Sequence, residues 1–166
     1  VLPLCIMGHS MGSFLTRTYL IRYPGTVKAA VIMGTGWQPR AAIPGGLALA
    51  NAIAAVSGEN ATSELVTELA FGSYNKLFAP NRTKVDWLSA DESNVDDYIA
   101  DPLCGADATV GLFRQMLHGI RFNQRQSHLR QMDKQMPVLF VAGDKDPVGS
   151  CGKGVRQTYD AFRQAG

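Results

Sequence analysis

Ser10 stands between two glycines in Gly8-His9-Ser10-Met11-Gly12, a pattern whose residue types suit acyl transfer. A serine hydroxyl attacks a carbonyl only when it projects freely into a cleft and a base takes its proton. A tight turn between a strand and a helix projects it, provided the neighbours carry no bulk. Gly8 and Gly12 would supply that room, with Ser10 held in a strained backbone conformation. The Met11 amide, at the start of the helix, would then point to where an oxyanion forms. The pentapeptide therefore reads as a nucleophile elbow, with Ser10 catalytic and Met11 an oxyanion donor. His9 sits beside the nucleophile with its side chain directed away from the serine.

The elements that position such a serine are present on both sides. Leu4 to Met7 reads as a buried strand. Phe14, Leu15, Tyr19 and Leu20 fall at helical spacing before Tyr23-Pro24-Gly25 stops the helix. The same letters also suit a glycine-rich strand-to-helix turn with an inert serine. Val27 to Met33, bounded by Pro24-Gly25 and Gly34-Thr35-Gly36, is expected to be a parallel strand buried on both faces. A third strand is expected over Val138 to Ala142, and a helix over Val155 to Phe162.

Between that strand and helix lies Gly143-Asp144-Lys145-Asp146-Pro147-Val148-Gly149. An acid just past the carboxyl end of a parallel strand shares the rim on which open α/β sheets bind ligands. Asp146 is the favoured acid, because it lies farther into the loop and Pro147 stiffens its backbone. Asp144 is the alternative, and both aspartates would also serve as caps of the following helix. Two nucleotide motifs fail. Pro39 stands where a dinucleotide fingerprint after Gly34-Thr35-Gly36 requires glycine. Around Gly152-Lys153, Pro147 and Gly154 replace the leading glycine and the hydroxyl residue of a phosphate loop.

From Trp37 to about Met136 the chain is alanine- and leucine-rich without a convincing strand. Helices are expected over Ile43 to Val56, Thr62 to Leu69, Asp91 to Tyr98 and Val110 to Ile120. The domain reading is a core of residues 1–36 and 137–166 with a helical cap or lid insertion at 37–136. The basic residues Arg114, Arg121, Arg125, Arg130 and Lys134 read as a solvated helix face rather than a site for an anionic head group.

The chain of 166 residues, 46% hydrophobic and 18% charged, suits one globular domain. A net charge of +2 is too small to argue for nucleic acid or an anionic membrane, and no apolar run is long enough to span one. Cys5, Cys104 and Cys151 lie far apart, without metal-ligand spacing, and read as reduced structural residues. No metal and no cofactor is expected. The expected partner is a small molecule, with no nucleic acid and at most transient contact with a membrane surface, in the cytoplasm. Oligomeric state is not readable. The first residue, Val1, already lies in a strand-like segment and Gln164-Ala165-Gly166 ends on a helical pattern, so both ends are expected to be edges of a longer protein.

With Gly-His-Ser-Met-Gly-Ser at residues 8–13, three strands, a helical insertion and Gly-Asp-Lys-Asp-Pro-Val-Gly at residues 143–149, the chain resembles the α/β-hydrolase superfamily. It is most similar to the monoacylglycerol lipase and lysophospholipase branch, with a serine aminopeptidase S33-type domain. The resemblance implies a parallel sheet with flanking helices, of which the visible strands are the fifth to seventh. It implies Ser10 as nucleophile, Met11 as oxyanion donor, Asp146 as triad acid, and a lipid ester as substrate. It also implies a histidine a few dozen residues beyond Asp146 and a His-Gly loop before Val1. The 166 residues alone are therefore expected not to hydrolyse esters. An amino-terminal peptidase, or a non-catalytic homologue that binds apolar ligands, is the alternative.

Overall fold

The computed structural model describes residues 2–166; Val1, read above as already in a strand-like segment, lies outside the described residues. Strand β1 (Cys5–His9) leads through Ser10 into helix α1 (Met11–Arg22), and β2 (Ala29–Met33) completes the unit. Helices α2 (Ala42–Ser57), α3 (Glu64–Phe71), α4 (Glu92–Ala100), α5 (Val110–Asn123) and α6 (Gln126–Leu129) follow. Strand β3 (Val138–Val141) and helix α7 (Lys153–Ala165) end the chain. The three strands form one parallel sheet in the order β1-β2-β3. Ile6 pairs with Ala30 and Ala30 with Val138, while Gly8 pairs with Ile32 and Ile32 with Phe140.

Those two rows lie on one face of the sheet, because side chains alternate along a strand. Ala30 and Ile32 pack there with Leu20 and Ile21 of α1, Leu129, Met132, and Ala161 and Ala165 of α7. The opposite face is the more exposed one among the described residues. Met7 is 62% exposed and Leu139 58%, on either side of half-buried Val31, and Val141 is 37% exposed. The expectations of a buried first strand and a second strand buried on both faces are thereby corrected. Every helix of the main core packs against the same side, and among the described residues β1 and β3 are the outer strands.

The buried face of α1 also departs from the sequence reading. Leu15 is exposed, and the buried residues are Ser13, Phe14, Thr16, Arg17, Leu20 and Ile21. Tyr23 caps the helix through its N–H to the Tyr19 carbonyl, ahead of Gly25. All three cysteines are exposed free thiols, so the structural role expected of them is not what they have.

The chain divides into two compact units, one of residues 1–47 with 115–166 and one of residues 48–114. The helical unit is thus shorter than the 37–136 insertion read from sequence. Residues 37–47 and 115–136 belong with the sheet, where Ile43, Leu47 and Ile120 surround Phe14. Within the helical unit, Phe71, Tyr74, Trp87 and Phe113 form an aromatic cluster. Ser63 caps α3 through Val66 N–H, and Asp91 caps α4 through Ser93 N–H.

Candidate active site

Ser10 occupies the junction of β1 and α1 with φ 52° and ψ −120°, a left-handed conformation unusual for a non-glycine residue. Three hydrogen bonds hold it there. Its N–H donates to the Met33 carbonyl at 3.0 Å, and its own carbonyl accepts from Ser13 N–H at 2.9 Å and Ser13 Oγ at 2.6 Å. Serines that precede helices usually cap them by accepting an amide hydrogen. Ser10 makes no such bond, so its half-buried hydroxyl is uncommitted among the described residues. The Met11 N–H, first amide of α1, likewise has no acceptor among the described residues, at the end where the helix dipole favours negative charge.

The two glycines that flank this turn are not equivalent. A Cβ on Gly8 would collide with the Gly12 carbonyl oxygen and Thr16 Oγ1, so only glycine lets β1 and α1 approach this closely. A Cβ on Gly12 would meet nothing within 4 Å. The expectation that both supply steric room is corrected for Gly12, whose outer side is open.

Asp146 lies beyond the carboxyl end of β3, half-buried, in a loop held by its own backbone. Its N–H donates to the Gly143 carbonyl, and its carbonyl accepts from Cys151 N–H at 2.9 Å. Its Oδ1 accepts from Val148 N–H at 2.9 Å. Asp144 is exposed and makes no hydrogen bond or ion pair among the described residues. Neither aspartate caps α7, whose N-terminal position is Gly152 with no side-chain bond. The capping alternative is thereby removed.

Gly34 connects the two halves of the site. A Cβ built on it would lie 3.4 Å from His9 Nε2 and 3.5 Å from Asp146 Oδ2, so the imidazole and the free carboxylate oxygen flank the same backbone atom. His9 is exposed, and with its ring beside Gly34 it does not pack beneath other side chains. The loop after β2 also fits closely against the loop after β3. A Cβ on Gly36 would strike the Val148 carbonyl, and one on Gly154 would come 2.9 Å from Trp37 N. This contact is what the glycine-rich stretch 149–154 supplies in place of a phosphate loop.

The other histidines are placed elsewhere. His118 is exposed on α5, and His128 Nδ1 donates to the Phe122 carbonyl at 2.9 Å with its ring 4.2 Å from that of Phe122. Among the described residues no group of three or more His, Cys, Asp or Glu is arranged to hold a metal. No helix among them is long and apolar enough to cross a membrane.

The residue missed from sequence is Arg17, fully buried in α1. Its Nη1 donates to the Gly36 carbonyl at 2.9 Å and to Thr35 Oγ1 at 3.3 Å. Nε and Nη2 have no partner among the described residues. Burial pulls its pKa down to about 9. Its guanidinium lies 5.5 Å from the Phe14 ring centre and 5.9 Å from that of Trp37. The signal was its spacing, since Phe14, Arg17, Leu20 and Ile21 share one helical face.

Solved structures share this fold. A highly thermostable carboxyl esterase from Bacillus coagulans, in complex with glycerol, superposes with a TM-score of 0.89 at 23% identity, covering 99% of this chain and 54% of that one. A lipase in its open form gives 0.86 at 21% identity over 99% and 54%. A monoacylglycerol lipase from Paleococcus ferrophilus gives 0.65 at 16% identity over 97% and 55%. The chain thus spans about half the length of the structures it matches. At these identities the likeness establishes the fold, a parallel sheet with flanking helices of α/β-hydrolase type. No curated protein sequence matches. The sequence itself matches a family model from residue 1 to residue 165, over both the Ser10 turn and the Asp146 loop, and the chain belongs to the serine aminopeptidase, S33, family.

Proposed function

We propose that these residues are part of a serine hydrolase that cleaves carboxylic esters of lipids, of monoacylglycerol or lysophospholipid type, through an acyl-enzyme. The observation that carries the reading is Ser10 itself: a serine at a helix start, in a strained conformation, whose hydroxyl does not cap the helix. Strain of this kind persists where a fold overdetermines it, and it clusters at reactive sites. Ser10 Oγ attacks the ester carbonyl carbon while its proton passes to a histidine carried outside these residues. That histidine returns the proton to the departing alkoxide as the C–O bond breaks. Water then repeats the sequence on the acyl-serine and releases the acid.

In this proposal Met11 N–H stabilises the oxyanion, and Asp146 Oδ2, the oxygen not tied to Val148, orients the histidine. Gly8 sets the closeness of the turn, and His9 flanks it. The matches to a carboxyl esterase and a lipase support the leaving group chosen here.

The family description, serine aminopeptidase, favours a second reading in which the scissile bond is an amide at an amino terminus. The test uses the longer protein that carries these residues, with short-chain monoacylglycerols and prolyl amides offered in parallel. Ester turnover that disappears in Ser10→Ala, together with labelling of Ser10 by a fluorophosphonate, is the expected result. Turnover that survives the substitution overturns the assignment, and amide turnover without ester turnover selects the peptidase.

A further inference from the structure

A cavity of about 430 Å³ in the sheet-bearing unit is lined by Arg40, Arg121 and Arg125, with Ile43, Pro44 and Ser127 among its other walls. The three arginines come from three different segments: the connection before α2, the last turn of α5, and the link between α5 and α6. None of their guanidinium groups has an ion pair or hydrogen bond among the described residues, and no carboxylate lines the cavity. Ser127 likewise keeps its hydroxyl free among the described residues.

The wall that carries Arg40 is fixed to the end of α5. Gln124 Oε1 accepts from Gln38 N–H at 2.8 Å, and its Nε2 donates to the Gln38 carbonyl at 2.8 Å. This two-bond clip ties the segment carrying Arg40 to the end of α5. Gln126 is also committed, donating to the Ala161 carbonyl at 3.2 Å. The cavity thus gathers three solvent-exposed cationic donors, with no carboxylate among its walls, where like charges repel. A lining of charge +3 without a counter-ion is relieved by an anion.

We propose that this cavity binds an organic phosphomonoester, with the dianion held by Arg40, Arg121 and Arg125 and the carbon part lying against Ile43 and Pro44. Guanidinium forks suit phosphate oxygens because they offer paired, planar donors. Forks arriving from three segments fit a tetrahedral dianion better than a planar monoanion. The volume is that of a small-molecule site. A second cavity, of about 300 Å³, shares Arg40, Gln124 and Gln126, and Asp160 lines it but not the first. The site is separate from the Ser10 chemistry, since neither cavity is lined by Ser10, His9 or Asp146.

The test is isothermal titration of the 166-residue chain with inorganic phosphate, glycerol 3-phosphate and acetate, repeated with a short-chain acyl-glycerol 3-phosphate. Glycerol 3-phosphate should bind at least about tenfold more tightly than acetate, and Arg121→Gln and Arg125→Gln should each weaken it at least about tenfold. Arg156→Gln, an exposed arginine on α7 outside both cavities, should leave binding unchanged. Circular dichroism of each variant confirms that its fold is retained; should one fail to fold, Arg40→Gln replaces it. A lipid head group as the natural source requires the acyl derivative to bind more tightly than glycerol 3-phosphate; equal binding assigns a soluble phosphate ester. Absence of phosphate binding, or binding that the arginine variants leave intact, overturns the proposal.

Discussion

Arg17 Nη1 lies 2.9 Å from the Gly36 carbonyl oxygen, so a cation buried within α1 ties that helix to the loop after β2. The bond is costly to keep, because Nε and Nη2 are left without partners. Gly36 O also accepts from Thr158 Oγ1 at 3.3 Å, so it stays bonded if Arg17 is removed. Arg17→Met, which fills similar volume, should therefore be neutral or raise stability by about 1–3 kcal/mol. Arg17→Ala should cost about 2–4 kcal/mol through the cavity it leaves. Urea denaturation measures both; a large loss in Arg17→Met would show that the charge itself stabilises the fold.

The same residue gives a pH signature. The folded pKa, about 9, lies well below the ordinary arginine value, because burial disfavours the charged form. Between those values the unfolded chain binds more protons, so this group makes unfolding harder as pH rises. Below pH 9 both states are protonated and the penalty is constant. The stability difference between the native chain and Arg17→Met should be flat from pH 7 to about 9 and shift in favour of the native chain above it. A difference that stays flat through pH 11 would refute this.

Gly8 and Gly12 should respond in opposite ways to alanine. A Cβ at Gly8 meets the Gly12 carbonyl and Thr16 Oγ1, and the carbonyl belongs to helix backbone that cannot turn aside. Gly8→Ala should cost about 2–4 kcal/mol, and adding Thr16→Ala should recover little of it. Gly12 lies inside α1 with open space around its Cβ position. Gly12→Ala should stabilise the chain by up to about 1 kcal/mol, since alanine is the better helix former. Thermal melting of the single variants separates the two effects.

Much of this site is legible in the letters because its constraints are local. The switch from a short apolar run to helical spacing around Ser10 locates the turn, and β1, α1 and β2 lie within two residues of where the pattern puts them. The loop of Asp146 is marked by its glycines and proline. What periodicity does not carry is the identity of the partner. Val27 to Met33 announces a strand that wants burial on both sides, but which face meets α1 and α7 is decided by the chain's path. Arg17 escapes notice for a related reason: residue type points to solvent, while its place between Phe14 and Leu20 points inward. Arg121 and Arg125, read as a solvated face, are exposed, and what the letters do not carry is that Arg40, more than 80 residues away in sequence, borders the same cavity.

The more exposed face of the sheet should be measurable. Met7, Leu139 and Val141 expose apolar side chains on a parallel sheet, an architecture usually covered on both faces. The 166-residue chain should bind the dye ANS while folded. Leu139→Thr with Val141→Thr places β-branched residues at both positions of the strand, and should reduce that fluorescence at a stability cost of no more than about 1 kcal/mol. Unchanged fluorescence would place the apolar surface elsewhere.

Asp146 offers a way to separate loop structure from charge. Oδ1 accepts from Val148 N–H, while Oδ2 points past Gly34 and has no hydrogen-bond donor among the described residues. Asp146→Asn keeps an acceptor for Val148 and removes the charge. Asp146→Ala removes both. Asp146→Asn should melt close to the native chain, and Asp146→Ala should lose about 1 kcal/mol from the unmade loop bond. If Asp146 orients a catalytic histidine, both variants of the longer protein should lose about 10⁴-fold in kcat despite their different stabilities. Asp144→Asn, at an exposed residue without partners, should change neither property. Activity that follows stability across the three variants would make Asp146 a loop-holding residue and return the search for the triad acid to another part of the protein.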